Sequence, residues 1–404
     1  MSSTAAEGGP WKRALLYGLG AFLFLRLFTL AWGLAVQAFF PLPALPLSSP
    51  YMHGFVPTAG ELASPLAEPW MRWDATWYLS IAQWGYRAGD GSVAFFPLYP
   101  LLTGGLGRLL GGRYLWAGLA VANLAAAAFC VVFYRLADAE RGPQAGRPAL
   151  EVLVTFPTAF FLVMPYTESL FLLLAALTLF FWRRERWLWA GLLGGLAALT
   201  RAHGLLLFPA LLLAWFLASP GRAFVARLFG KQADASAPTR WRWGALLALG
   251  LIPAATLLYA GYASFYVQHG PFWAALQSSW GLHWAWPWMA VWEGLSNMAS
   301  TGTYVLLNLF SAMLVLLPLL AGLKKLPPAY WAYGFLVLLL SMSKVDAEGV
   351  IVSLHRYVLM VFPAFVLLGE ILRRGRPTWF LWRWLCLTIQ ALSVVAFVLW
   401  GGVW

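Results

Sequence analysis

Long apolar runs alternate with short polar stretches along almost the whole chain. A helix that crosses a bilayer needs about 20 mostly apolar residues, so the pattern predicts about eleven spans. They cover residues 14–36, 114–134, 148–165, 168–182, 187–200, 202–218, 243–267, 302–322, 329–343, 354–372 and 377–400. We therefore predict an all-α polytopic membrane protein that forms a single integral membrane domain over residues 1–404.

Two longer polar stretches interrupt this pattern, at residues 37–113 and 219–242. The second is basic, which predicts a tether near anionic lipid headgroups. The first holds apolar side chains at helical spacing, which predicts a helix that lies in the membrane interface with these side chains on lipid. They are Trp73, Trp77, Ile81 and Trp84. The short spans within 148–182 and 187–218 leave a second possibility open, that of broken or re-entrant hairpins.

Composition and charge agree with the membrane class. Hydrophobic residues make up 61% of the chain and charged residues 10%, whereas soluble proteins carry about 25% charged residues. With the N-terminus inside, the inner segments hold 19 of the 27 Lys and Arg residues when Arg383, just inside the last predicted span, is counted with them, which satisfies the positive-inside rule. Residues 37–113 are then extracytoplasmic and residues 219–242 cytoplasmic. The net charge of +12 is dispersed over several loops, which argues against nucleic-acid binding.

Polar residues that hydropathy does not explain fall at the outer ends of the predicted spans. Ionisable residues at these positions are costly unless they are paired or used. Carboxylates together with Arg and His on one face suit a phosphate-bearing ligand and a general base. The residues are Arg72, Asp74, Tyr166, Glu168, Arg201, His203, His355 and Arg356.

Solvated loop charges and structural ion pairs are the alternative interpretation of such residues. It is the favoured one for Lys344, Asp346 and Glu348, which lie in a polar run between two spans. The five His are spread along the chain without metal-ligand spacing, so we predict no metal site.

Five motifs in order resemble those of the PIG-V-like mannosyltransferases, a family with eukaryotic and prokaryotic members. They are RWDA at 72–75, FFPLYP at 95–100, FPTAFF at 156–161 with YTESLF at 166–171, LTRAHGLL at 199–206, and HRY at 355–357. The chain departs from the family's pattern at His203, where Asn or another polar residue is expected. It also matches little of the carboxy-terminal third outside His355 and Arg356.

The resemblance implies a GT-C-type fold, an inverting transfer of mannose or another hexose from a polyprenyl-phosphate-linked donor, and a glycan or glycolipid acceptor. No cofactor or metal is implied, and the partners are these lipids and the surrounding membrane. The implied site faces the outside of a prokaryotic plasma membrane, or the lumen of the endoplasmic reticulum in a eukaryote. We expect Asp74 to act as general base. Arg201, His203, His355 and Arg356 are expected at the donor phosphate, and Arg72, Trp73, Trp77, Tyr78, Tyr166 and Glu168 at the substrates.

A lipid-linked-sugar flippase or another transporter is the alternative function. It too would need many helices, basic residues and a lipid groove. A transporter is expected to carry charges near the bilayer midplane and to show repeats. Here Arg26 lies within a predicted span, whereas the other unexplained charges gather at one face. We therefore favour the enzyme.

Overall fold

The computed structural model describes residues 9–40, 48–218, 221, 242–281, 283–297, 304–346 and 351–401. Almost all of its regular structure is helical. The α-helices are α1 (Pro10–Phe39), α2 (Ala59–Leu62), α3 (Asp74–Trp84), α4 (Leu98–Leu109), α5 (Tyr114–Arg141), α6 (Gly146–Val154), α7 (Glu168–Trp182), α8 (Trp187–Ala198), α9 (Leu207–Leu217), α10 (Trp243–Leu249), α11 (Leu251–Tyr262), α12 (Phe272–Trp280), α13 (Pro287–Ser296), α14 (Tyr304–Ala321), α15 (Pro328–Met342), α16 (Leu354–Tyr357), α17 (Phe362–Leu372) and α18 (Arg376–Val398). Two short strands, β1 (His283–Trp284) and β2 (Lys344–Val345), pair antiparallel. The 3-10 helices Ala159–Val163 and Ala202–Leu206 matter for the site.

The fold is an all-α polytopic membrane fold, as the apolar pattern predicts. Within the described ranges, four helical stretches are long and apolar enough to cross a bilayer: α1, α5, α18 and Trp243–Val267. A bent pair, Leu354–Met360 with Phe362–Leu372, makes a fifth if it forms one span. The other predicted spans contain helices of 18 residues or fewer that do not reach spanning length, so fewer helices can cross the bilayer than the eleven predicted.

Breaks within the predicted spans explain part of this difference. Residues 148–165 form α6 and the 3-10 helix Ala159–Val163, with Pro157 between them. Proline lacks a backbone N–H and disfavours the helical conformation of the residue before it, so the helix stops here. The two helices of the bent pair meet at 87°. Most of the polar loop 219–242 lies outside the described residues.

The helix predicted in the membrane interface is α3, and it is buried, so its predicted lipid-facing position is wrong for Trp77 and Ile81. The Trp77 ring stacks on His53, with centroids 3.8 Å apart, and burial lowers the pKa of His53 to about 4. Beside this stripe, Thr76 and Ser80 donate hydrogen bonds to the backbone carbonyls of Tyr51 and His53 in the preceding loop, and both side chains are buried. Helical spacing identifies one apolar face, but it does not show that the polar face is buried as well.

Positions in the helix bundle can be described along helix α5, which contacts elements near both of its ends. Its 28 residues extend about 42 Å at 1.5 Å per residue. Near its start, the carbonyl of Gly118 accepts a hydrogen bond from Tyr99 in α4. Near its end, Tyr134 stacks on Tyr17 of α1, and Asp138 accepts a hydrogen bond from the backbone N–H of Gly146. We call these the Gly118 end and the Tyr134 end.

Segments predicted to share the inner face lie together at the Tyr134 end. Arg141, in the last turn of α5, pairs with Glu370 of α17 at 3.0 Å. Arg183, which follows α7, pairs with Glu140 at 2.9 Å. Arg373 donates to the carbonyl of Gln144, in the turn after α5. The fold thus gathers basic segments from distant parts of the chain at one end of the helix bundle.

Helices α1 and α5 approach closely at Gly18, and this contact gives a testable prediction. A Cβ added there would lie 2.7 Å from the Cα of Val131, whereas one added at Gly20 meets nothing within 4 Å. Gly18→Ala should therefore lower the apparent unfolding midpoint in detergent, with a cost of about 1–3 kcal/mol. Gly20→Ala is the matched control, because it adds the same methyl group and the same helix propensity of about 1 kcal/mol in the same helix. Equal midpoints for the two variants would contradict this packing.

Candidate functional site

Four charged side chains form one continuous chain of ion pairs. Asp74 Oδ2 lies 2.9 Å from Arg356 Nη1, and Arg356 Nε lies 3.4 Å from Glu168 Oε1. The same oxygen of Glu168 is 2.9 Å from Arg201 Nη1. The sequence placed these residues at separate turns of one predicted face. The structure brings them into direct contact, and their formal charges cancel.

Each member of this chain lies where a helix begins or breaks. Asp74 is the first residue of α3 and Glu168 the first residue of α7. The positive end of the helix dipole favours a carboxylate at both positions. Arg201 directly precedes the 3-10 helix Ala202–Leu206, and Arg356 lies in the short helix α16. The broken helices therefore place charges at the site that an uninterrupted span would bury in its interior.

The backbone is strained on both sides of the Asp74–Arg356 pair. Trp73 has φ 54° and Ser353 has φ 56°. Residues other than glycine in such conformations cost about 1–3 kcal/mol, and they persist where the surroundings fix them. Around Trp73, its carbonyl accepts from Thr76 Oγ1 at 2.8 Å, and the carbonyl of Arg72 accepts from the Tyr166 hydroxyl at 3.0 Å. These bonds hold Asp74 in place.

Burial differs sharply among the four charges. The side chain of Glu168 is fully buried and those of Arg356 and Arg201 are nearly so, whereas that of Asp74 is 28% exposed. A buried charge is tolerated only when it is paired, which explains why Glu168 serves both guanidinium groups. Its other oxygen, Oε2, is buried without a hydrogen-bond partner among the described residues. Of the two carboxylates, Asp74 is the one that a substrate can reach.

Tyr357 lies at the centre of a cation cluster that the sequence alone does not reveal. Its ring centroid is 5.1 Å from the guanidinium carbon of Arg356, 5.2 Å from that of Arg201 and 5.8 Å from Lys344 Nζ. Arg356 also donates to the Tyr357 hydroxyl at 3.3 Å. Strand β2 holds Lys344 here, so the prediction of an ordinary solvated charge is wrong for this residue. Together with Lys344, the four charges of the ion-pair chain have a net formal charge of +1, which favours an anionic ligand.

A hydroxyl network extends the site toward α3. Arg201 donates to Thr167 Oγ1 at 2.6 Å, and this oxygen lies 3.2 Å from the Tyr78 hydroxyl. Burial raises the pKa of Tyr78, so the group stays a neutral hydroxyl. Thr167 lies between two predicted site residues, and its position in the YTES motif is the signal that identifies it.

Arg72 belongs to a different set of contacts. Its guanidinium pairs with Glu68 at 2.8 Å, donates to the carbonyl of Val398 at 3.1 Å, and lies over the ring of Trp400. Burial lowers its pKa. The carboxylate partner of Arg72 is thus Glu68, four positions before it, and not the neighbouring Asp74. The predicted contact of Arg72 with substrate stays a prediction.

The two histidines and the remaining aromatics have their own partners. His355 Nδ1 lies 3.0 Å from Asn308 Oδ1, and His203 Nε2 lies 3.2 Å from Ser341 Oγ. The His203 ring packs against Tyr357, at the edge of the cation cluster. Trp73 packs against Trp400. The predicted roles of His203 and His355 at a phosphate, and those of Trp73, Trp77, Tyr78 and Tyr166 at the substrates, stay predictions.

Within the described part of the chain, no group of three His, Cys, Asp or Glu side chains is placed to hold a metal ion. The polar groups of the site are two carboxylates, three cations and several hydroxyl groups.

No protein-family model matches this chain. No curated protein matches it either. Its structure is similar to that of ArnT from Cupriavidus metallidurans bound to undecaprenyl phosphate, at 15% identity and a TM-score of 0.45, over 77% of this chain and 54% of ArnT. It is also similar to apo ArnT, at 17% identity and a TM-score of 0.43, over the same shares of both chains. This chain thus spans about half the length of ArnT.

The ion-pair chain predicts that Glu168 matters more for stability than an exposed acid does. Glu168→Gln should lower the apparent unfolding midpoint strongly, because breaking a buried ion pair costs about 3–5 kcal/mol. Glu185→Gln is the control: its carboxylate is 59% exposed, pairs with Arg242, and should contribute about 0–1 kcal/mol. Thermal unfolding in detergent measures both. Similar shifts in the two variants would show that Glu168 does not hold the two Arg residues in the folded protein.

Proposed function

We propose that this protein is an inverting glycosyltransferase that moves a mannosyl or other hexosyl residue from a polyprenyl-phosphate-linked donor to a hydroxyl of a glycan or glycolipid. One observation carries the proposal: an accessible carboxylate, Asp74, is hydrogen-bonded to a guanidinium that belongs to a cluster of three cations. Transfer from a sugar phosphate needs a base for the acceptor and positive charge for the leaving group, and this arrangement supplies both. The motifs at 72–75 and 355–357 support the sugar assignment by their resemblance to the PIG-V-like family.

In the proposed mechanism, Asp74 accepts the proton of the acceptor hydroxyl while the oxygen of that hydroxyl forms a bond to C1 of the donor sugar. The bond between C1 and the phosphate oxygen breaks on the opposite side, and the configuration at C1 inverts. Arg356, Arg201 and Lys344 stabilise the negative charge that returns to the lipid phosphate. Asp74 is favoured over Glu168 as the base because Glu168 is fully buried and already shared by two cations.

Arg356 connects the two halves of this mechanism. Its Nη1 contacts the base, whereas its Nε faces the buried Glu168. If a bound phosphate draws Nη1 away from Asp74, the contact of Nε with Glu168 still holds the guanidinium group at the site. The carboxylate of Asp74 would then be released from this ion pair when the donor binds and would be free to face the acceptor hydroxyl.

The orientation of the site follows from the charges at the two ends of α5. The basic segments gather at the Tyr134 end, and the positive-inside rule assigns that end to the cytoplasm. The ion-pair chain lies toward the Gly118 end, where the ring of Tyr78 packs against Tyr99. We therefore propose an extracytoplasmic site in the plasma membrane.

The arrangement of charges supports the enzyme over the transporter. The site's charges lie together at one end of the bundle. Arg26, the charge within α1, lies over the ring of Trp70, with its guanidinium carbon 5.8 Å from the ring centroid. A transporter would need ionisable groups along its path, and Arg26 has an aromatic partner instead.

The role of Asp74 can be tested with the purified, reconstituted chain, labelled polyprenyl-phosphate mannose and an extract of candidate acceptors. Asp74→Asn should lower kcat by about 10²–10⁴-fold, because loss of a general base costs that much. Asp90→Asn is the control in the same loop, where Asp90 pairs with Arg87. An Asp74→Asn variant that folds and keeps normal turnover would remove Asp74 as the base. Failure of the wild-type chain with every polyprenyl-phosphate sugar would count against the proposed function.

The cation cluster predicts a second kinetic effect. Lys344→Ala should raise the KM for the donor several-fold and change kcat less, because Lys344 adds charge without contacting the base. Lys325→Ala, at the Tyr134 end, should leave both constants unchanged. Arg201→Ala should raise KM or lower kcat. If neither constant changes for a variant in this cluster, that residue does not bind the phosphate.

A further inference from the structure

A second polar site lies at the Tyr134 end, away from the ion-pair chain. It is a cavity of about 440 Å³ between α1, the turn from α5 to α6, and the turn from α17 to α18. Four arginines line it, and we call it the basic cavity: Arg13, Arg147, Arg373 and Arg383. Tyr134 also lines it. On α5 this residue lies 16 positions beyond Gly118, or about 24 Å along the helix axis.

The charge of the basic cavity is only partly compensated by the protein. Its one lining carboxylate, Glu151, pairs with Arg147 at 2.8 Å. Arg373 donates to a backbone carbonyl. Arg13 Nε is buried without a hydrogen-bond partner in the described part of the chain. Asp138 also interacts electrostatically with Arg13, so two carboxylates face four guanidinium groups. The remaining positive charges repel one another, and an anion placed among them removes that repulsion.

An apolar groove continues directly from this cavity. It has a volume of about 280 Å³ and shares Tyr17, Arg147, Glu151 and Arg383 with the basic cavity. The rest of its lining is mainly apolar and comes from α1, α6 and α18, and it includes Gly20, Phe24, Leu150, Val154 and Leu387. Helices α1 and α18 are two of the four stretches of spanning length, so this groove lies at the depth of lipid chains.

We propose that the basic cavity and the groove together bind one anionic phospholipid of the leaflet opposite the candidate catalytic site. Its phosphate lies among the four arginines, and an acyl chain lies in the groove between α1 and α18. A free phosphate would fill the cavity but leave the apolar groove without a function. The positive-inside rule assigns this end to the cytoplasmic leaflet, where anionic lipids attract basic residues. The inference does not depend on the proposed sugar transfer.

Such a lipid has a structural consequence. It contacts three elements that are far apart in sequence: the start of α1, the turn before α6 and the start of α18. A ligand that binds only the folded state stabilises it by mass action. Phosphatidylglycerol should therefore raise the unfolding midpoint of the full chain in detergent, whereas phosphatidylcholine should not.

The test measures lipids that stay bound to the full chain in native mass spectrometry, after reconstitution in mixed phosphatidylglycerol and phosphatidylcholine. The double variant Arg13→Gln/Arg383→Gln should bind phosphatidylglycerol about twenty-five-fold more weakly, since each basic residue near an anionic headgroup contributes about fivefold. The control is Arg374→Gln/Arg376→Gln, which removes two neighbouring arginines that do not line the cavity. Equal retention by both double variants would overturn the proposal.

Two further comparisons test the lipid chain and the headgroup separately. Gly20→Leu fills the groove without removing a charge, and Gly20 has open space around its Cα. Gly20→Leu should reduce phosphatidylglycerol retention, and Gly20→Ala should reduce it less. If the double arginine variant fails to fold, unchanged retention by Gly20→Leu would overturn the proposal. Inorganic phosphate alone should not reproduce the rise in unfolding midpoint. If it does, or if phosphatidylcholine is retained equally well, the site does not bind an anionic lipid.

Discussion

The fully buried carboxylate of Glu168, which faces two guanidinium groups, is the interaction on which the site depends. A charge without water is stable only next to an opposite charge, so Arg201 and Arg356 must reach this position from segments far apart in sequence. Both arginines lie at breaks between helices: Arg201 precedes the 3-10 helix Ala202–Leu206, and Arg356 lies in the short helix α16. The short, broken helices around the site follow from this requirement. These helices are too short to span a bilayer, and their ends place Glu168, Arg201 and Arg356 next to one another.

The sequence predicts the members of this site better than their contacts. Hydropathy and charge place Asp74, Glu168, Arg201 and Arg356 at the outer ends of apolar runs, because a charge in such a position has a high cost that only pairing or use can offset. The partners of each charge depend on long-range packing, which periodicity does not encode. For this reason Asp74 pairs with Arg356, 282 positions away, while Arg72, two positions from Asp74, pairs locally with Glu68.

Two other differences have the same origin. The stripe that contains Trp77 predicts a helix, and the helix exists, but the burial of both its faces depends on loop carbonyls that the pattern cannot show. Lys344 looks like a solvated loop charge in the sequence. The short ladder of β2 with β1 gives it a fixed place beside Tyr357. The fold class was predictable because the hydropathy of each apolar run is enough to indicate a helix in the membrane. The cation cluster was not, because it is made by residues that meet only in the folded chain.

The hydrogen bond from Arg72 to the carbonyl of Val398 has a consequence for how the protein is made. The two residues are 326 positions apart, so Val398 leaves the ribosome roughly half a minute after Arg72 at typical elongation rates. Throughout that time the segment that ends in Trp73 and Asp74 lacks one of the contacts that fix it. This segment of the 37–113 loop is thus synthesised well before the residue that completes its contacts. Insertion of α18 supplies this contact, so a chain truncated before α18 would carry every residue of the ion-pair chain without this support for Asp74.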